Sequence, residues 1–356
     1  LPVDLQKLAR ALERRGPLLQ RLEAEHTDCC RLFHGIAEGA PGIAIDRYGP
    51  ILLVQTWREP LEEGELSRIR SQVEQALALP LTAVWNHRGK DGAASISAAG
   101  PHPHGSRSAT HYARATLGPE IPASPMGREM GLVYDVRPRH RGLDPLLFLD
   151  LRAGRRRIRQ SARGKSVLNL FAYTCASGVA AAAGGAQEVW NVDFSESALD
   201  IGKMNFASNG LESNASRFIP EDAIAVSRQL AALPVSTHRG RGGARRERRF
   251  LRFDPRSFDL VILDPPSWAR GRFGAVDVVR DYPTLFKPAL LSATPGASIL
   301  ATNHSAEVSR ETFLQVLERT AEKSGRSIRA LDWILPEEDF PSFDESPPLK
   351  AAWIEV

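Results

Sequence analysis

The feature that most constrains this chain is a regular alternation that begins near Ser161. "KSVLNLFA" reads as an apolar strand, "SGVAAAAGGA" as a short helix closed by Gly-Gly, and "EVWNVD" as a second strand ending on an acid. "SESALDIGKMNFASNG" then reads as a helix with a capping serine and a closing Asn-Gly. "ASRFIPEDA", "FDLVILDPP" and "ASILATNHS" continue the strand pattern. Strands alternating with helices predict an α/β fold, a mostly parallel sheet with helices on both faces. Ligands of that architecture bind beyond the carboxyl ends of the strands. Asn169, Asp193, Asp222 and Asp264 stand at that end of four successive strands.

Each of these residues has a chemical reading and a plainer one. An acid ending the second strand suits the two hydroxyls of a ribose, which points to Asp193. Asp222 can accept from an adenine amino group, and the turn Asn169 to Thr174 lies close to the ligand. Acids and amides in such places also cap the helices that follow. The ordered set of four is what points to a ligand. The first turn is not G-x-G-x-x-G, because Phe171, Tyr173 and Cys175 stand where a dinucleotide fold wants glycine. That disfavours a pyrophosphate cofactor, and with it a nicotinamide oxidoreductase. It favours an adenosine cofactor without phosphates, for which S-adenosylmethionine fits.

"LDPPSWARG" ends a buried strand on an acid, two prolines and an aromatic. Proline has no N–H, so Pro265 and Pro266 stiffen the chain and leave carbonyls free to face a ligand. Asp264 and those carbonyls can accept from an amine or imino N–H, and Trp268 can stack on a flat base. The alternative is a Pro-Pro turn that ends the strand, with Trp268 in the core.

A chain of 356 residues exceeds what one core usually holds and predicts two domains. Residues 1–25 read as a helical lead-in, with Leu5, Leu8 and Leu12 at helical spacing and Gly16-Pro17 as an interruption. Residues 26–140 read as a small α+β domain: hairpins from Arg31, a helix over 66–77, a strand over 83–86, a loop over 92–111 and a strand in "MGLVYDVRP". Residues 141–356 hold the alternating region. No apolar run reaches membrane-spanning length. Cys29, Cys30 and Cys175 form no CxxC pair, so no zinc site is expected and a reducing cytoplasm is the simplest setting. The chain starts at Leu1, which leaves room for an upstream segment. The net charge is only +4, but arginines crowd at 152–159 and 239–252. Such clusters contact phosphates or form a solvated surface.

"VLNLFAYTCASGVAAAAGGAQEVWNVDFSESALDIGKMNFASNG" followed by "FDLVILDPPSW" resembles the bacterial large-subunit (23S) rRNA methyltransferases of the class I, S-adenosylmethionine-dependent type. That family includes cytosine-C5 and guanine-N7 enzymes. The resemblance extends to "EHTDCCRLFHGIAEGAPGIAIDRYG", which is similar to its linker domain, and to "PLKAAWIEV", similar to its last hairpin strand, so it spans about residues 21–356. It implies a Rossmann-like methyltransferase domain with a C-terminal antiparallel hairpin, preceded by a smaller α+β domain. Phe148, Asp150 and Arg152 would lie against the cofactor, and Phe171, Tyr173 and Thr174 would form its methionine-side turn. Asp193 would hold the ribose and Asp222 would reach the adenine. Asp264, Pro265 and Pro266 would face the methyl group and the target base.

Three departures from the family pattern matter. The segment before the linker-like region is too short for the family's frequent N-terminal PUA domain, so none is expected within these residues and RNA docking would rest on the linker domain and the basic clusters. Relatives often have glycine where Cys175 stands. The C5 members carry a cysteine after the strand that here reads "ILATNHS", where this chain has Asn303 and His304. Carbon 5 of cytosine is not nucleophilic until a thiolate adds to C6. The expected reaction is therefore methyl transfer to a base nitrogen, guanine N7 or an exocyclic amine, in large-subunit rRNA. Asn303 and His304 would line the base pocket or serve as ordinary loop polars. A methyltransferase for a small molecule or protein, or a non-catalytic cofactor- and RNA-binding module, are the alternatives.

Overall fold

A computed structural model describes residues 4–88, 114–138, 140, 144–211, 215–235, 251–266, 268–271, 274–342 and 347–356. The expected loop over 92–111 and the arginine-rich stretch over 239–250 lie outside these residues. The chain forms two units: Leu1–Leu149 with Glu337–Glu345, and Asp150–Pro336 with Ser346–Val356. The boundary falls at 149/150 rather than at 140/141.

In the first unit the lead-in is part of the core. Helix α1 (Leu5–Ala24) is capped by Asp4, whose carboxylate accepts from the Gln6 N–H at 2.9 Å. It runs straight through Pro17 instead of stopping there. An internal proline removes one helical hydrogen bond. Leu8, Leu12, Leu18 and Leu22 form one buried stripe on both sides of it, and burying that stripe holds the helix together. Strands β1 (Cys29–His34), β2 (Ile43–Tyr48) and β3 (Ile51–Thr56) pair antiparallel. Helix α2 (Glu63–Leu77) then crosses over to β4 (Thr82–His87), which lies parallel to β3, and β5 (Arg114–Leu117) closes the sheet. The strand expected in "MGLVYDVRP" is present over Leu132–Asp135. Met130 and Gly131, both with positive φ, turn the chain between β6 (Met126–Glu129) and β7 (Leu132–Asp135). Residues 337–345 join this unit through Asp339, which accepts from the Arg31 N–H at 3.0 Å, and through Phe340, edge-on to His34.

The second unit is the alternating region. It runs α3 (Arg152–Ser161), β8 (Ser166–Leu170), α4 (Ala176–Ala183), β9 (Glu188–Asp193), α5 (Glu196–Ser208), β10 (Ser216–Pro220) and α6 (Ala223–Leu230). Strand β11 (Phe258–Leu263), the hairpin β12 (Trp268–Gly271) and β13 (Gly274–Asp277), and α7 (Tyr282–Leu291) follow. Strand β14 (Ala293–Asn303), α8 (Arg310–Lys323), β15 (Ala330–Ile334) and β16 (Lys350–Glu355) complete it. The sheet order is β10-β9-β8-β11-β14-β16-β15. The first five strands are parallel, and β16 and β15 form the antiparallel C-terminal hairpin. This is the expected Rossmann-like architecture. Its central strands are buried on both faces, so they read as unbroken apolar runs such as Leu260 to Leu263. Strand order reverses between β8 and β11, which opens a crevice at their carboxyl ends. Helix α4 packs so closely on the sheet that a Cβ at Gly178 would sit 2.0 Å from Asn191 Oδ1. No helix among the described residues is long and apolar enough to cross a membrane.

Candidate active site

The turn after β8 holds three non-glycine residues in the left-handed region: Phe171 (φ 60°), Tyr173 (φ 49°) and Cys175 (φ 62°). Side chains are uncommon there, and each such residue costs on the order of 1–3 kcal/mol unless its surroundings over-determine it. The turn thus takes glycine-like backbone conformations without glycine, which the sequence did not reveal. Its surroundings do fix it. Ala172 N–H donates to Val192 O at 3.0 Å, and Tyr173 N–H donates to Asp193 Oδ2 at 2.9 Å. Thr174 O accepts from Asn205 Nδ2 at 3.0 Å. Cys175 is wholly buried and packs where α5 has Gly202, whose hypothetical Cβ would lie 2.4 Å from its sulfur.

Asp193 ties this turn to the next helix. Its Oδ2 accepts from Tyr173 and its Oδ1 from the Ser195 N–H at 2.8 Å. Burial raises its pKa, with those two N–H groups working against the rise. Each oxygen still has a lone pair for a hydroxyl. Phe194, directly after it, is 58 % exposed. A bare aromatic beside a carboxylate at a strand end suits a flat base next to a ribose.

The second cluster lies at the carboxyl ends of β11 and β14. Asp264 Oδ1 accepts from Thr302 Oγ1 at 2.5 Å and pairs with His304 Nε2 at 2.9 Å. His304 Nδ1 lies 4.0 Å from Asp150 Oδ2. The imidazole therefore stands between two carboxylates. Burial works against its charge, but the hydrogen bond and charge of Asp264, aided by Asp150, raise its pKa to about 9. Burial likewise opposes ionisation of Asp264. His304, Thr302 and the charge of Arg155 outweigh it and hold the carboxyl below its ordinary value. Asp264 Oδ2 has no hydrogen-bond partner among the described residues. Pro265 is buried and Pro266 exposed, and neither carbonyl is hydrogen-bonded among the described residues.

Asp264, Pro265, Pro266, Asp150 and His304 thus come together, and Phe171, Tyr173, Thr174 and Asp193 form the adjoining turn. Others are committed elsewhere. The Asn169 amide donates to Asn191 Oδ1 at 2.9 Å beneath α4, so its side chain braces the sheet rather than lining the strand end. Asp222 Oδ1 caps α6, accepting from Ile224 and Ala225 N–H at 2.9 and 3.1 Å. The Asn303 side chain, expected near the base, donates to Val278 O at 3.2 Å and accepts from Ser305 N–H at 2.9 Å, which fixes the loop. Phe148 belongs to the first unit, where it is 42 % exposed. Trp268 opens β12, but its side chain lies outside the described residues.

The arginines of α3 are not a uniform surface. Arg152 and Arg155 are buried, and Arg157 lies over the Trp353 ring at 5.2 Å. Arg155 and Thr302 belong to the Asp264 cluster and were not singled out in the sequence. A run of arginines hides which one the helix turns inward, and a threonine inside an apolar strand carries no signal of its own.

Residues 123–233 match the model of a family described as S-adenosylmethionine-dependent methyltransferase. A ribosomal RNA large subunit methyltransferase of Deinococcus radiodurans is 30 % identical over 98 % of this chain and 78 % of its own. The ribosomal RNA large subunit methyltransferase I of Aeromonas hydrophila is 27 % identical, over 95 % of this chain and 75 % of its own. Among solved structures, a protein complexed with SAH and assigned as a methyltransferase shares the fold, with a TM-score of 0.75 at 23 % identity. The match covers 99 % of this chain and 82 % of that one.

Proposed function

The chain belongs to the S-adenosylmethionine-dependent ribosomal RNA large subunit methyltransferases, and from that premise we propose that it methylates a base nitrogen of large-subunit rRNA. The residues present fit the cofactor. Asp193 would hold the ribose hydroxyls through the remaining lone pairs of its two oxygens, and Phe194 would cover the adenine. The strained turn Phe171 to Thr174 would take the methionine side. When bound, the cofactor supplies an electrophilic methyl group on a sulfonium.

The observation that carries the nitrogen acceptor is the unpartnered Oδ2 of Asp264. Thr302 and His304 fix the carboxylate through Oδ1 alone, so the second oxygen is oriented before substrate arrives. It accepts an N–H of the base and turns the acceptor lone pair toward the methyl group, a gain in alignment. An exocyclic amine offers that N–H directly. A guanine methylated at N7 offers it from its amino edge. Because the Asp264 carboxyl is held below its ordinary pKa, it orients the base rather than keeping a proton: an exocyclic amine sheds its displaced proton to solvent, and methylation at guanine N7 releases none and leaves the ring cationic. Carbon 5 chemistry lacks its nucleophile. Cys29, Cys30 and Cys175 are all buried, burial raises the thiol pKa of Cys29 and Cys175, and Asn303 and His304 stand at the end of β14.

The test is transfer of a labelled methyl group from S-adenosylmethionine in a mixture of unmodified large-subunit rRNA, small metabolites and protein. Label in the rRNA is expected. Label confined to metabolite or protein would reject the RNA substrate.

A further inference from the structure

Lys350 opens β16, in register with Asn303 at the carboxyl end of β14. The residue is 4 % exposed. Its ammonium makes one hydrogen bond, to the carbonyl of Ser305, and no carboxylate pairs with it among the described residues. Buried ammonium groups are ordinarily paired, because an uncompensated charge away from water is unfavourable. The neighbours make this one less favourable still. Burial and the positive charge of Arg310 push its pKa down to about 8, and its own charge is felt by His304. Asn303 fixes the loop that presents Ser305, so the amine is held in place beside His304, and His304 is hydrogen-bonded to Asp264. The charge of His304 is met by Asp264 and Asp150, whereas the buried Lys350 ammonium has only the Ser305 carbonyl and no carboxylate among the described residues. That ammonium lies beyond β11, on the side away from β8 and its turn, so it flanks the acceptor rather than the cofactor.

We propose that Lys350 is a phosphate-binding residue for the substrate strand, its ammonium taking a phosphodiester oxygen of the RNA next to the base that Asp264 holds. This rests on the RNA reading above. The phosphate supplies the counter-charge that the fold omits, and its contact with Lys350 fixes the nucleotide from its backbone while Asp264 fixes it from its base.

The test uses the full chain and a labelled single-stranded fragment of large-subunit rRNA, with binding followed by fluorescence anisotropy over a series of salt concentrations. Lys350→Met and Lys350→Gln should weaken binding and reduce the slope of log affinity against log salt by about 0.7, the loss of one contact on a single strand. Lys350→Arg should restore most of that slope. Affinity for S-adenosylmethionine, by calorimetric titration, should not change in any variant. Lys350→Met should melt at or above the wild-type temperature, since it removes an unpaired buried charge. An unchanged slope in both neutral variants, a parallel loss of cofactor affinity, or loss of cooperative melting in both would overturn the proposal. If wild type binds and methylates RNA while the slopes do not change, only the role of Lys350 fails. If wild type neither binds nor methylates RNA, the RNA reading fails and this proposal with it.

Discussion

Asp264 and His304 define each other. The carboxylate keeps the imidazole charged to about pH 9, and the imidazolium helps keep the carboxyl ionised. The signs follow from these shifts. The His304 pKa is raised in the folded state, so its contribution to stability is full below 6.5 and disappears as pH rises through about 9. The Asp264 pKa is lowered, so its contribution is present above 3.8 and disappears on further acidification. Methyl transfer should therefore hold from neutrality to about pH 8 and fall as pH passes 9, read from a pH–rate profile at saturating substrate. Asp264→Asn removes the charge but keeps the shape. It should lower kcat by about 100- to 1,000-fold, as for loss of one pre-oriented hydrogen-bonding group. In the same variant, NMR titration should find the His304 pKa shifted from about 9 back toward 6.5. An unchanged His304 pKa would mean that Asp264 is not what holds the charge. At this scale the sequence was partly legible. The Asp-Pro-Pro end of β11 named Asp264, and "TNHS" named His304. Asn169 and Asn303 were over-read, because an amide at a strand end looks alike whether it faces a ligand or, as here, braces Asn191 or the Ser305 loop.

Among the elements, the strand ends of the second unit were the most readable, because a parallel sheet buries both faces of each strand and ends it abruptly on a polar residue. The capping serine and closing Asn-Gly of α5 are also where the sequence puts them, with Ser195 accepting from Ala198 N–H and Gly210 at φ +65°. What the sequence hid was tertiary override. Pro17 sits inside α1 because buried leucines on both sides outweigh one lost hydrogen bond, and a turn without glycine adopts left-handed conformations because Asp193, Asn205 and Gly202 surround it. Gly178 gives a direct test of how tightly α4 seats this turn. In Gly178→Ala the new Cβ would meet Asn191 Oδ1 at 2.0 Å and disturb the Asn169–Asn191 bond. Overpacking of this kind costs about 1–3 kcal/mol. Urea unfolding should show a lower midpoint, and calorimetry weaker binding of S-adenosylmethionine. Wild-type values for both would show that the helix seat tolerates the methyl group.

For the whole molecule, the order of strands explains why one end of one sheet carries the chemistry. Reversal of the order between β8 and β11 puts the Asp193 turn on one side of the switch point and the Asp264 cluster on the other. On the proposed reading, cofactor and acceptor would meet where the two halves of the sheet diverge. The seams of the two units are not written in the local pattern of the sequence. Residues 337–345 lie between β15 and β16 along the chain yet belong to the first unit, and no local pattern encodes such an excursion. The central claim is that Asp264 orients a base nitrogen for methylation. Its most direct test is mass spectrometry of the nucleosides released from large-subunit rRNA after incubation with S-adenosylmethionine and either wild-type protein or the Asp264→Asn variant. The account predicts an N-methylated nucleoside with wild type, guanine N7 or an exocyclic amine, and its near absence with the variant. 5-Methylcytidine as the product, or undiminished N-methylation by Asp264→Asn, would contradict it.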